Sequence, residues 1–191
     1  MRVFVLGGDP HFCVERKEKK GYNRLVERGD KMKEQKTNVM RLLEQKKISY
    51  IPHEYPHGDE AVDGLTVARI CEQNPEQVFK TLVARGASKT IYVFVIPVIG
   101  ELDLKKAAKA SGEKSVAMIH VSEINALTGY VRGGCSPVGM KKQYKTFYDI
   151  SAADKATIMV SAGKIGYQVE VAPQALIALV RAGTAELTIE S

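Results

Sequence analysis

The sequence predicts one α+β domain over residues 36–191, and three observations lead to that class. Candidate strands and helices intermix without the regular βαβ alternation of a parallel α/β fold. The chain of 191 residues has 45% hydrophobic and 26% charged residues, which is ordinary for one globular domain with a sizeable core. No internal repeat divides it. The elements of this domain can be assigned in chain order.

The first elements are a helix and an edge strand. Apolar residues recur at helical spacing from Val39 to Leu43 behind Thr37, a possible N-cap. Residues 49–55 have a strand pattern, and Pro52 indicates the edge of a sheet because it cannot donate to a ladder. We then expect a short helix over residues 66–73 and an apolar strand over 79–84.

The centre of the chain contains the clearest strand. Residues 91–96 are continuously apolar, which predicts a central strand. Asp103 is a candidate N-cap for the following helix, with Gly112 just past its end, and Ser122 is a candidate cap for another that stops at Gly129. Further predictions are strands over 146–150, 157–161 and 168–171, then a helix over 174–181, opened by Pro173 and closed by Gly183.

The first 35 residues have a different composition. Residues 14–36 are mostly charged and offer little apolar surface, so we expect a flexible segment or a solvated helix. The segment is either an appendage, or the result of a mis-set start with Met32 as the true one, or a basic arm for RNA. The domain boundary is therefore placed between residues 35 and 36.

Composition limits the classes of function. No apolar run approaches the roughly 18 residues that a membrane helix needs, so we expect a soluble protein. Cys13, Cys71 and Cys135 form no CxxC pair, so neither a disulfide framework nor a zinc site is indicated. We expect a reducing cytoplasm, no metal and no cofactor. The net charge of +6 weakly favours an anionic partner.

Lys80 and Thr81 interrupt an otherwise apolar run, Val78 to Val83. Lysine is rarely fully buried unless it is paired or functional. A charged amine on a buried element can bind phosphate or polarise a carbonyl oxygen. The alternative is an edge lysine whose amine reaches water.

A glycine-rich loop covers residues 133–139, Gly-Gly-Cys-Ser-Pro-Val-Gly. Such a loop lets backbone N–H groups approach an oxyanion or a phosphate, although a plain turn would use the same residues. It matches neither a P-loop nor a GxSxG elbow. Cys135 is a candidate thiol nucleophile if His53, His57 or His120 acts as its base; the alternative is a bystander.

Two further features carry polar groups. The turn over residues 161–166 could present the Ser161 hydroxyl and the Lys164 amine to a ligand, or be only a turn. A lysine-rich set suits the phosphates of a tRNA acceptor end; the alternative is a solvated surface, which explains any one of these lysines better than it explains the set. Its members are Lys105, Lys106, Lys109, Lys141, Lys142 and Lys164.

In this order the motifs resemble the YbaK family and the related editing domain inserted in prolyl-tRNA synthetases. The resemblance covers about residues 37–191 and leaves out the N-terminal 35. The matching segments are Phe79-Lys80-Thr81-Leu82, Leu104 to Lys109, Thr128-Gly129-Tyr130, the loop 133–139, Ser161 to Lys164 and Val169 to Pro173. The resemblance implies a mixed, barrel-like sheet flanked by helices.

The resemblance also implies an activity and its residues. The substrate would be an aminoacyl ester at the 3′ end of tRNA, with Lys80 as the essential lysine and no cofactor. The Phe-Lys-Thr-Leu form and the loop look closer to the cysteinyl-tRNA branch than to the alanyl-tRNA branch. Cys-tRNA(Pro) is therefore the expected substrate, and Ala-tRNA(Pro) or non-catalytic binding of tRNA or a synthetase are the alternatives. The resemblance also suggests prolyl-tRNA synthetase as a partner. Positions near the substrate would be Tyr55, Thr81, Gly133, Gly134, Ser136 and Ser161.

Overall fold

The computed structural model describes residues 36–58 and 61–189. The predicted N-terminal appendage lies outside this part of the chain. The described helices are α1 (Asn38–Gln45), α2 (Gly64–Ile70), α3 (Leu104–Ser111), α4 (Val121–Thr128) and α5 (Pro173–Val180). The strands are β1 (Ile51–Glu54), β2 (Phe79–Gly86), β3 (Ile91–Pro97), β4 (Val116–Met118), β5 (Lys145–Asp149), β6 (Ile158–Ser161), β7 (Tyr167–Val171) and β8 (Gly183–Ala185).

The strands form two sheets. One is antiparallel with the order β1-β7-β6, and the other is mixed with the order β4-β2-β3-β5-β8. A parallel bridge between Val78, just before β2, and Met159 of β6 links the two sheets. The predicted α+β class with a mixed sheet flanked by helices is confirmed. The strands of the predicted barrel-like sheet are divided between two sheets and do not close into one barrel.

Strand β3 is central, as its continuous apolar run predicts. It pairs antiparallel with β2 and parallel with β5. Val93 and Val95 lie in one core, with α1, β6 and β7, whereas Phe94 and Ile96 lie in a second core with Ala107 and Ala108 of α3. Both faces of β3 are therefore covered, which explains why the sequence shows no polar alternation there.

Most predicted helix ends are confirmed. Thr37 Oγ1 accepts the Met40 N–H at 3.3 Å, and Asp103 Oδ1 accepts the N–H groups of Lys105 and Lys106. Gly112 ends α3 in the left-handed conformation. The capping groups thus fixed these boundaries locally.

Helix α2 covers Gly64–Ile70, so it begins and ends earlier than the predicted 66–73. Two further boundaries differ from the prediction. The N-cap of α4 is His120, not Ser122, and the Glu123 carboxylate accepts the His120 N–H at 3.1 Å. Helix α5 ends at Arg181, which adopts the left-handed conformation with φ 54°, so Gly183 is free to begin β8. His120 thus caps α4 in place of Ser122, and Arg181 ends α5 in place of Gly183, although neither histidine nor arginine is commonly expected at these positions.

Candidate active site

A cavity of about 440 Å³ lies beside β2. Its walls come from residues 79–83 of β2, from the connection between β4 and α4, from the glycine loop and from the end of β6. The volume lies in the range of pockets that hold small ligands. Of the predicted site residues, Lys80, Thr81, Gly133 and Ser161 line it together.

The cavity occupies an unpaired stretch of the outer edge of β2. The Val98 N–H donates to Val78 O at 2.8 Å and the Gly86 N–H to Thr90 O at 2.9 Å, so even-numbered residues of β2 direct their backbone groups towards β3. Thr81 and Val83 therefore direct theirs away from β3. Val83 O accepts the Ile119 N–H at 3.2 Å, and pairing with β4 begins only at Ala84. The backbone of Thr81 thus faces the cavity side.

Lys80 brings an amine into this cavity. Its side chain is half-buried, and Nζ lies 3.4 Å from Val98 O, a long hydrogen bond. Burial lowers the pKa of the Lys80 amine, an effect that the negative charge of Glu101 partly opposes. The Lys80 ammonium group is partly shielded from water and has one weak hydrogen-bond acceptor, so it can bind a ligand oxygen strongly.

Thr81 adds a hydroxyl whose hydrogen-bonding capacity is unused. Its Oγ1 is buried and has no hydrogen-bond partner in the part of the chain that the structure describes. A buried polar group without a partner costs roughly 1–3 kcal/mol, so such groups are rare unless a ligand satisfies them. Ser161, at the end of β6, also lines the cavity; its Oγ accepts the Gly163 N–H at 3.2 Å and its O–H remains for donation.

The glycine loop lines the cavity through Gly133 and Cys135, not through Gly134. Gly133 has φ 82°, and a Cβ there would lie 2.6 Å from the Ala61 Cβ. At Gly134 a Cβ would lie 3.1 Å from the Ile165 backbone nitrogen. The two glycines are therefore required by backbone conformation and close approach.

The other predicted pocket residues are structural neighbours of the cavity. Ser136 is fully buried and its Oγ accepts the Val138 N–H at 3.3 Å. Tyr55 is 2% exposed, and its N–H donates to Gly166 O at 2.9 Å. Neither is among the residues that line the cavity, so any effect they have on a ligand passes through the loop and the turn that they support.

The histidines do not complete a thiol nucleophile. His53 bonds to the Glu170 carboxylate at 2.9 Å, His57 Nδ1 lies 2.8 Å from Gly58 O, and His120 begins α4. None of them is among the described residues that line the cavity with Cys135. Burial raises the pKa of the Cys135 thiol to about 12, so it stays protonated near neutral pH.

For the ester hydrolysis that the motif resemblance implies, we predict that Cys135→Ala leaves the rate within about threefold of wild type, because a protonated thiol is a poor nucleophile. Single-turnover deacylation at neutral pH checks this. Cys71→Ala is the matched control, since burial also raises the pKa of that thiol and Cys71 does not line the cavity. Inactive Cys135→Ala with normal folding would contradict this prediction.

The six predicted tRNA lysines lie on three separate segments. Lys105, Lys106 and Lys109 belong to α3, Lys141 and Lys142 follow the glycine loop, and Lys164 lies in the turn that packs against Gly134. Lys106 Nζ donates to Thr188 O at 3.0 Å, and Lys141 Nζ donates to Asn125 O at 3.0 Å. None of the six lines the Lys80 cavity, so a role in tRNA binding would be outside it.

Sequence reasoning missed Arg132, which lines the cavity next to Gly133. Its signal was available, since a cation directly before a glycine-rich loop is placed to meet the same ligand as the loop. The described residues contain no group of three side chains suited to hold a metal ion, and no helix among them is long and apolar enough to cross a membrane.

Comparisons with known proteins bear on this site. The family described as "Aminoacyl-tRNA editing domain" matches residues 60–179. A protein of Enterococcus faecalis, named as a candidate Cys-tRNA(Pro)/Cys-tRNA(Cys) deacylase, EbsC, is 46% identical over 158 residues, covering 83% of this chain and 96% of its own length.

Solved structures support the fold. A candidate trans-editing enzyme for prolyl-tRNA synthetase matches with a TM-score of 0.69 and 24% identity, over 80% of this chain and 95% of that one. A hypothetical protein matches with a TM-score of 0.71 and 18% identity, over 79% of this chain and 99% of that one. The matched family region contains Lys80, the glycine loop and Ser161, and the resemblance of the motifs is thereby confirmed: the chain belongs to the aminoacyl-tRNA editing domain family.

Proposed function

We propose that this protein is a free-standing deacylase that removes cysteine from Cys-tRNA(Pro) in the cytoplasm. The observation that carries the proposal is the half-buried Lys80 amine, which lines one cavity together with Thr81 and the glycine loop. Membership of the editing family supports the reaction class, and the Enterococcus faecalis relative supports cysteine as the amino acid.

Lys80 supplies electrostatic stabilisation in this proposal. Attack on the aminoacyl ester places negative charge on the former carbonyl oxygen, and a preorganised cation stabilises that charge more in a water-poor cavity than in bulk water. Thr81 is adjacent and its backbone faces the same cavity, so it helps to orient the ester. The remaining contribution is positioning of an ester that is already activated.

The attacking group comes from the substrate or from water, because burial keeps the Cys135 thiol protonated and no histidine among the described residues lines the cavity with it. If the substrate thiol attacks its own carbonyl, a C–S bond forms, the ester C–O bond breaks, and the thiol proton passes to the tRNA 3′ oxygen. The product is then a thiolactone and free tRNA. Water attack by the same route releases free cysteine.

The identity of the tRNA requires more than this cavity. We propose that prolyl-tRNA synthetase supplies it as a partner, since the lysines that could contact tRNA lie outside the cavity on three segments. A gel shift of tRNA(Pro) with and without the synthetase tests this. Strong selectivity for tRNA(Pro) by the isolated protein would contradict a partner of this kind.

We predict selective loss of cysteine from Cys-tRNA(Pro), while Pro-tRNA(Pro) and Ala-tRNA(Pro) persist. Release of amino acid from each purified aminoacyl-tRNA measures this, with Cys-tRNA(Cys) included because the name of the relative covers it. Loss of alanine instead would retain the deacylase class and change the substrate. No turnover with tRNA still bound would favour a binding module.

A further inference from the structure

We infer that Arg132 and the apolar side chains at the cavity mouth form a subsite for the 3′-terminal nucleotide of tRNA. Arg132 would bind the phosphate that precedes the terminal nucleoside, and Met118 and Val121 would contact its base. The inference rests on the proposed deacylase function and deepens it by assigning the nucleotide to named groups.

The charge of the cavity selects an anion. Among its described lining residues, Lys80 and Arg132 are charged and both are cations; Glu101, whose charge acts on Lys80, does not line the cavity. A concave site with one sign of charge raises the local concentration of oppositely charged ligands. An aminoacyl ester on a nucleotide meets this requirement through its phosphate.

Arg132 is available for that phosphate. Its side chain is exposed, and within residues 36–58 and 61–189 no hydrogen bond or ion pair engages its guanidinium. Arg85 shows the contrast, because its guanidinium donates to the Glu123 carboxylate at 2.6 Å. The planar fork of an arginine matches two phosphate oxygens at once.

Arg132 and Lys80 differ in solvent exposure, and this difference assigns them to different parts of the substrate. A phosphodiester keeps its charge and much of its hydration, so it is held most easily where solvent remains, at the exposed Arg132. Lys80 is half-buried beside Val98 O and has lost much of its solvent. Lys80 is then left for the ester carbonyl, where charge develops only during the reaction.

The mouth also offers a nonpolar surface. Met118 is 46% exposed and Val121 is 55% exposed, and both line the same cavity as Arg132. Apolar side chains that line a pocket together with a cation offer a surface for the nonpolar part of a charged ligand. A purine base has two nonpolar faces, one of which these side chains can cover.

Steady-state kinetics with two substrates test the subsite: Cys-tRNA(Pro), and the cysteinyl ester of adenosine, which lacks the phosphate. Arg132→Gln should raise KM for the tRNA about 10-fold or more, with kcat little changed, and leave the adenosine ester unaffected. Val121→Ser should raise KM for both esters about threefold. Arg181→Gln, which removes the same charge outside the cavity, should change neither.

Equal KM values of wild type and Arg132→Gln on tRNA would overturn the inference, as would an equal loss on both esters. Should wild type hydrolyse neither ester, the proposed function fails, and a 3′-amide-linked cysteinyl CCA oligonucleotide still tests the subsite by direct binding. Wild type should then bind it about 10-fold tighter than Arg132→Gln, with a salt slope larger by about 0.7. Equal affinities would overturn the subsite by itself.

Discussion

Lys80→Ala should slow deacylation of Cys-tRNA(Pro) by about 10²–10³-fold, the usual cost of losing one donor to a developing oxyanion. The loss should appear mainly in kcat, because the charge that Lys80 stabilises develops only in the transition state. Single-turnover rates of wild type and variant on the same aminoacyl-tRNA measure it directly.

The same substitution should not destabilise the fold. Burial of the Lys80 amine works against its charged form, and its contact with Val98 O is long at 3.4 Å. Removing such a group relieves a cost that activity requires, so thermal unfolding of Lys80→Ala should occur at or above the wild-type temperature. A variant that is both inactive and unfolded would show a structural role instead.

The pH dependence of deacylation further separates a catalytic role of Lys80 from a structural one. A lysine whose pKa is lowered loses its proton at lower pH than an ordinary lysine, so wild-type activity should fall as pH rises through that lowered pKa. Lys80→Arg keeps its charge across the range and should lack this alkaline limb, after subtraction of the enzyme-free hydrolysis. An alkaline limb unchanged in Lys80→Arg would assign it to another group.

The second large effect is expected at Gly133. Gly133→Ala combines a left-handed φ of 82° with a Cβ that would lie 2.6 Å from the Ala61 Cβ, which is attached directly to the backbone. We expect a loss of about 2–4 kcal/mol in the free energy of unfolding and a large loss of activity, because the loop that lines the cavity must shift to relieve the contact with Ala61. Urea unfolding and deacylation rates measure the two losses.

Gly112→Ala is the matched control for Gly133→Ala. Gly112 has a similar φ of 76°, but nothing lies within 4 Å of its would-be Cβ, and it is at the end of α3 outside the cavity. It should lose only about 1–2 kcal/mol and keep full activity. Equal losses in the two variants would show that backbone strain alone matters and that the contact with Ala61 does not.

Sequence reasoning succeeded where one local feature decides the structure. The cap of α3 at Asp103, its end at Gly112 and the central position of β3 each follow from a few neighbouring residues. It failed for β4 and β8, which are three residues each and owe their pairing to β2 and β5 far away in the chain. Short strands carry too few residues for a pattern to be visible.

The candidate site also combines features that the local sequence predicts with features that depend on packing between distant parts of the chain. Of the residues that the motifs predict for the site, Lys80, Thr81, Gly133 and Ser161 line one cavity. The motifs did not distinguish these residues from Gly134, Ser136 and Tyr55, which are buried around the cavity without lining it. Whether a side chain faces a cavity or supports its wall depends on three-dimensional packing, and so does the position of Arg132 at its mouth.

The unpaired edge of β2 has a consequence for how such a site can change during evolution. The cavity is a gap in sheet pairing, bounded by the Val78–Met159 bridge on one side and by the start of pairing with β4 at Ala84 on the other. Its length is set by where β4 ends, so an insertion or deletion in β4 would resize the gap in steps of whole residues. Lengthening β4 would seal the site with backbone hydrogen bonds, giving a more stable protein that no longer admits substrate. Changes in the length of β4 would therefore alter the size of the accepted substrate in large steps, and substitutions at the lining positions would alter it in small steps.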